Sequence, residues 1–201
     1  MYEWRKMTPE QREHALKLRK QKGYPWHSPP HRVGKTDYYH LHATCFEHKP
    51  IIGTTPERLS EFTERLLETM KQFLAIVFAW CVLPNHYHLL IKSTDILMLF
   101  KEIGKLHGRL SYLWNGEENC RGRKVWYNFR ERYIRNQRHF WIVMNYIHHN
   151  PVHHGYVKHW QEWPFSSAME FIEMVGREKA GEIWRKYPIK DYGKDWDDSK
   201  L

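Results

Sequence analysis

The sequence predicts an α+β sandwich, an antiparallel sheet layered against helices in the order β-α-β-β-α-β-α. Three observations carry this. Runs of β-branched and aromatic residues around positions 38–46, 73–82 and 86–92 read as strands. Between and after them lie stretches with apolar residues at helical spacing. Pro84-Asn85 makes a tight turn between two of the strand-like runs, so those two form a hairpin.

The elements follow in order. Residues 1–36 read as a basic N-terminal extension. In it Thr8 caps a short helix, Pro9 to Lys22, with Pro9 at the first helical position. Gly23, Pro25, Pro29, Pro30 and Gly34 then interrupt regular structure. The main domain, residues 37–170, opens with a strand from Tyr38 to Phe46, ended by Pro50 and Gly53. Thr55 caps a helix opened by Pro56 and running to about Lys71, with Leu59, Phe62, Leu66, Leu67 and Met70 on its apolar face. Phe73 to Val82 is the second strand and His86 to Lys92 the third. Asp95 to Leu113 forms a second helix that Asn115-Gly116 ends, and Val125 to Ile134 forms a fourth strand. Gln137 to His149 is the next helix, stopped by Pro151, which leaves Asn150 at a frayed end. Residues 171–201 follow as a C-terminal tail. This split βαβ order is ferredoxin-like.

Composition narrows the class. The chain has 201 residues and is 41% hydrophobic, enough for one core. Its longest apolar run, Phe73 to Leu83, is too short to cross a bilayer, and the polar, basic start lacks a secretory leader. The expectation is a cytoplasmic protein with no membrane partner. Cys45, Cys81 and Cys120 form no CxxC pair, so they read as reduced thiols near the core rather than a zinc site. The formal charge is +9 and unevenly spread. Residues 1–35 hold nine Lys/Arg against three Glu, and residues 101–138 hold ten against four acidic residues. Two basic blocks point to a polyanionic partner, most often nucleic acid. Ten Trp and twelve Tyr add rings on which unpaired bases could stack, although most such rings fill a core.

Two segments carry candidate chemistry. His86 and His88 are two apart on a strand, so both imidazoles face one side and can reach one ion, while Tyr87 points the other way. The chain has fifteen His, so chance pairs such as His40/His42 and His148/His149 are expected too. Tyr146 and Asn150 are four apart and share a helix face. Taken singly, each feature reads first as structure: a core histidine, or a half-buried tyrosine with an asparagine cap.

Together the segments resemble a known family. Val82-Leu83-Pro84-Asn85-His86-Tyr87-His88-Leu89-Leu90-Ile91 resembles the HUH motif of the single-tyrosine transposases. YIHHNPVHHGYV, from Tyr146 to Val157, is similar to the nucleophile helix of the REP-associated tyrosine transposase branch, and Trp163-Pro164-Phe165-Ser166-Ser167 to the segment that follows it there. The resemblance covers about residues 37–170. Leu83 stands where Met is common, and the extension is not part of the shared core.

The resemblance implies a metal-dependent enzyme that nicks hairpin-bearing single-stranded DNA and transfers the strand through a 5′-phosphotyrosine. It implies Tyr146 as nucleophile, and His86, His88 and Asn150 as ligands of Mg²⁺ or Mn²⁺. The rival reading is a non-catalytic, domesticated DNA-binding protein of the same fold. Arg121, Arg123, Lys124, Trp126 and Arg130 are DNA-contact candidates; Trp126 and Arg130 read equally as core. Monomer and homodimer are both compatible with the family.

Overall fold

The computed structural model describes residues 7–21, 37–127, 129–194 and 196–197. The chain divides into two units, Met1–Arg32 and Val33–Leu201. In the first, helix α1 spans Pro9–Gln21. Thr8 Oγ1 accepts from Gln11 N at 3.3 Å and Gln11 Oε1 accepts from Thr8 N at 2.9 Å, a reciprocal cap. None of its residues is buried. The glycines and prolines expected to follow it lie outside the described residues.

The second unit builds a four-stranded sheet from β1 (Tyr38–Thr44), β2 (Ile76–Leu83), β3 (His86–Lys92) and β4 (Arg130–Tyr133). Helix α2 (Pro56–Gln72) connects β1 to β2, and α3 (Ile96–Glu117) connects β3 to β4. The strand order is β2-β3-β1-β4 with antiparallel neighbours, the ferredoxin-like arrangement. Helices α4 (Gln137–His153), α5 (Ala168–Val175) and α6 (Arg177–Lys186) complete it. Thr55 Oγ1 caps α2 by accepting from Arg58 N at 3.2 Å, and Asp95 caps α3 by accepting from Met98 N at 2.9 Å.

Strand parity sorts the core into two layers. Tyr39, Leu41, Ala43, Tyr87, Leu89 and Ile91 pack with Phe62 and Leu66 of α2 and Ile103 and Leu110 of α3. Ala79, Cys81, Leu83 and Leu90 pack on the other side with Val143, Met144 and Ile147 of α4 and with Phe171 and Ile183 of α5 and α6. Helices cover both faces, so β3 is buried along almost its whole length. Each fully buried Leu or Ile contributes about 1.5–3 kcal/mol, which holds this strand rigidly in place.

The structure departs from the sequence expectations in four places. Helix α3 runs through Asn115-Gly116, because the Asn115 side chain donates to Arg123 O at 2.7 Å and accepts from Arg123 Nε at 2.9 Å instead of closing the helix. β4 is only four residues long, and Trp126 makes no more than an isolated bridge to Cys45. Helix α4 runs through Pro151 to His153. A proline within the last turn forfeits one hydrogen bond there, and His154 N still donates to Asn150 O at 3.0 Å. Asn150 is therefore inside the helix and fully buried, not at a frayed end. Finally, residues 171–201, expected as a tail, hold most of α5 and all of α6, which pack on the second core layer.

The segment Trp163–Ser167 lies along the free edge of β2. Val82 N donates to Phe165 O at 2.9 Å, Trp80 N to Ser167 Oγ at 2.9 Å, and Ser167 N to Trp80 O at 3.0 Å. Trp163 Nε1 donates to Val82 O at 2.9 Å. This satisfies edge groups that would otherwise stay unpaired. Ser167 Oγ also lies 3.0 Å from His148 Nε2 on α4, tying the edge to that helix.

Candidate active site

The pleat of β3 sends His86 and His88 to the α4 side of the sheet. Tyr87 goes to the other side, where its hydroxyl meets His107 Nε2 at 3.1 Å. β1 pairs in a register that sets His42 opposite His88 and His40 opposite Leu90. All four imidazoles therefore share one face, with ring centroids 5.1 Å apart for His86/His88 and 5.2 Å for His40/His88.

Helix α4 crosses above them. Tyr146 and Asn150, four residues apart, line its lower face, and the C-cap residue His154 follows just past its end. The Tyr146 ring lies 5.3 Å from His88 and the His154 ring 4.7 Å from His86. Asn150 Oδ1 is 2.9 Å from His86 Nε2. The structure thus brings together the four residues expected as nucleophile and metal ligands: His86, His88, Tyr146 and Asn150.

A segment near the C-terminus closes over this cluster. Tyr146 Oη donates to Asp197 Oδ2, and Asn150 Nδ2 donates to the same oxygen at 2.8 Å. Asp197 Oδ1 is 3.2 Å from His154 Nε2, and the Nε2 atoms of His88 and His86 lie 3.5 and 3.8 Å from the carboxylate. Tyr192 Oη meets His40 Nδ1 at 2.8 Å. The Trp196 ring sits 4.8 Å from His42, and the Arg132 guanidinium lies 4.5 Å over that indole.

Burial keeps these imidazoles neutral. Burial pushes His86 and His88 down to about 3. Burial, then the neighbouring His88, holds His40 and His42 well below the usual histidine range. His86 has a conflict that a neutral ring cannot resolve: its Nδ1 faces Asn85 Oδ1 at 2.6 Å and its Nε2 faces Asn150 Oδ1. One N–H cannot serve two oxygens. Among the described residues, the buried Nε2 of His88 has no hydrogen-bond partner. His86, His154 and Asp197 each offer a ligand atom within 4.8 Å of the others. Bare imidazole nitrogens, an amide oxygen and a carboxylate form a mixed N/O set that fits a divalent cation.

Of the proposed DNA-contact residues, Arg130 lies beside this cluster and the other four lie away from it. Arg121 is exposed and sits 4.0 Å over the Tyr112 ring. Arg123 donates to Glu118 at 2.6 Å, and exposed Lys124 sits 4.8 Å over the Phe46 ring. These surround the end of α3. Arg130 is exposed on β4 opposite His42. Trp126 is a core residue, 8% exposed and stacked on His107 at 4.0 Å and 7°.

Sequence reading missed His154, Asp197, His40 and His42. His154 was concealed by ending the helix at Pro151. The His40/His42 alternation was visible but passed as coincidence.

An HxH strand beneath a tyrosine-bearing helix, in a ferredoxin-like sheet, is the arrangement that the resemblance to the single-tyrosine HUH proteins implies. No family model matches the chain. A Haemophilus influenzae protein carrying the name REP-associated tyrosine transposase is 28% identical over 140 residues, spanning 65% of this chain and 78% of that protein. The REP-associated tyrosine transposase of Escherichia coli K12 is 33% identical over 94 residues, spanning 44% of this chain and 52% of that one. A solved REP-associated tyrosine transposase bound to a REP hairpin shares the fold, with a TM-score of 0.55 at 22% identity over 81% of this chain and 89% of that one. The chain is thus similar in sequence to proteins named REP-associated tyrosine transposase and shares the fold of a solved one.

Proposed function

We propose that this protein nicks single-stranded, hairpin-bearing DNA and rejoins it, with Tyr146 as nucleophile and a divalent ion held by His86, His88 and Asn150. One observation carries the reading. Two segments some sixty residues apart in the sequence meet at one spot, where the Tyr146 ring lies 5.3 Å from His88 and the Asn150 amide oxygen 2.9 Å from His86. His154 and Asp197 supply further ligand atoms beside them. The substrate class follows from likeness to the relative solved with a REP hairpin and from the +9 charge.

The chemistry asked of the chain is modest. The Tyr146 oxygen bonds to the scissile phosphorus as the phosphorus–O3′ bond breaks; the phenol loses its proton and the departing O3′ gains one. Helix α4 and the imidazoles of β3 hold the phenol in a buried, pre-oriented position, which lowers the entropic cost of attack. Mg²⁺ or Mn²⁺ at the ligand cluster supplies charge withdrawal from a non-bridging phosphate oxygen. Because the phosphotyrosine keeps the bond energy, a free 3′-hydroxyl can reverse the step without ATP.

The test is a covalent-adduct assay with labelled hairpin DNA and Mn²⁺. Wild type is expected to give a protein–DNA adduct that Tyr146→Phe does not form. His86→Ala should bind the same DNA without cutting it. Cleavage by Tyr146→Phe at the wild-type rate refutes the nucleophile, and binding without any wild-type adduct marks a non-catalytic relative.

A further inference from the structure

Asn85 occupies the turn between β2 and β3, next to His86. The turn is fixed from several sides. Cys45 N donates to Asn85 O at 2.7 Å, and Gly53 N donates to Pro84 O at 2.9 Å. A Cβ on Gly53 would fall 2.4 Å from Pro84 Cβ, so only glycine allows this approach. The Asn85 side chain is buried and both of its ends are used. Its Nδ2 donates to His48 O at 3.1 Å, and its Oδ1 lies 2.6 Å from His86 Nδ1.

The His48 carbonyl decides which way the amide points. An oxygen facing His48 O would repel it, so the NH₂ end faces His48 and the oxygen faces His86. That carbonyl is itself presented at a cost. Glu47 and His48 both take positive φ, 58° and 54°, a conformation that non-glycine residues adopt at about 1–2 kcal/mol each. Strain of this kind gathers where a backbone group is aimed at something. At the far side of the ring, Asn150 Nδ2 donates to Asp197, which leaves Asn150 Oδ1 facing His86 Nε2. Two fixed amides thus specify opposite demands on one imidazole. The shorter contact, at 2.6 Å, is the one a shared proton explains.

We infer that Asn85 is a positioning residue that keeps the His86 proton on Nδ1, so that Nε2 stays bare toward Asn150 as a ligand for a divalent ion. The same nitrogen of His88 is also partnered, with His40 Nε2 3.1 Å from His88 Nδ1. Both proposed ligand histidines thus meet their supports through Nδ1 and present Nε2. A partner of this sort fixes ring orientation and raises ligand basicity. The role in metal binding rests on the reading of His86 given above; the proton position does not.

The experiment reads the tautomer first. In ¹⁵N-labelled, metal-free protein, two-bond ¹H–¹⁵N correlations should show the His86 proton on Nδ1. In Asn85→Leu, similar in volume but without acceptor or donor, that signature should give way to a mixture. Mn²⁺ affinity, measured from the paramagnetic resonance of free ion, should fall 10–100-fold. Asn85→Ala, which also removes the acceptor and adds no bulk, should give the same mixture. A wild-type proton on Nε2, or an unchanged tautomer in Asn85→Leu, overturns the inference. Should Asn85→Leu not fold, the wild-type and Asn85→Ala spectra decide it. None of these measurements uses DNA, so failure of the cleavage reading, seen as a missing wild-type adduct, is separately visible.

Discussion

Replacing Gly193 with alanine tests whether Tyr192, Gly193, Trp196 and Asp197 rest on Tyr146 as a separable cover. Gly193 has a φ of +101°, and an added Cβ would lie 2.6 Å from Tyr146 Cε2 and 3.3 Å from Cζ and Oη. The ring cannot simply swing aside. It is boxed by Tyr192, His88, Trp196 and His40, at centroid distances of 5.1, 5.3, 5.5 and 5.9 Å. The positive φ costs a non-glycine residue about 1–2 kcal/mol. Overpacking against a fixed ring adds roughly 1–3 kcal/mol. The segment is expected to yield before the helix does, because α4 is buried between the sheet and α6. At about 1.4 kcal/mol per tenfold, even the lower total of roughly 2 kcal/mol raises local opening about 30-fold. Amide hydrogen exchange is the assay. The Tyr192 and Asp197 amides, which donate to Ile189 O at 3.0 Å and Gly193 O at 2.9 Å, should exchange about 30-fold faster or more, with β3 unchanged. Unchanged protection at those amides, together with lost protection around Tyr146 in α4, would refute the reasoning.

Two further outcomes follow from the buried histidines and from Trp126. His86, His88, His107 and His148 are all held at about 3 by burial, below the unfolded value near 6.5. The unfolded chain therefore binds protons between about pH 6.5 and 3 that the native state does not, so stability is full above 6.5 and falls as the pH drops through that window, by about 1.4 kcal/mol per unit for each. Urea unfolding at pH 7.5 and 5.5 should differ by several kcal/mol, and equal midpoints would contradict it. Trp126→Ala should cost roughly 3–5 kcal/mol by emptying a packed site. Thermal unfolding checks this; a wild-type melting point with weakened DNA binding would restore Trp126 as a contact.

The sequence disclosed what local periodicity encodes. His86–Lys92 was bounded as a strand, and parity put Tyr87 opposite the two histidines, because a pleat alternates regardless of what surrounds it. Pro151 misled because the rule against interior proline weakens in a last turn, and ending the helix there removed His154 from view. His40 and His42 gain meaning only from pairing with β3, a register set by the fold and not by neighbours in the chain. Asp197 reaches the site from beyond α6, and no local pattern announces such a return.

The strap on β2 bears on assembly. An uncovered outer strand invites another copy to extend the sheet, but from Trp80 to Val82 the backbone groups are already engaged by Phe165 and Ser167, and Trp163 adds its indole N–H. Strand-to-strand association along that stretch would require peeling the strap away. Peeling it would also break the Ser167–His148 link and loosen the helix that carries Tyr146. Solitude at this edge and order at the tyrosine are maintained by the same few atoms.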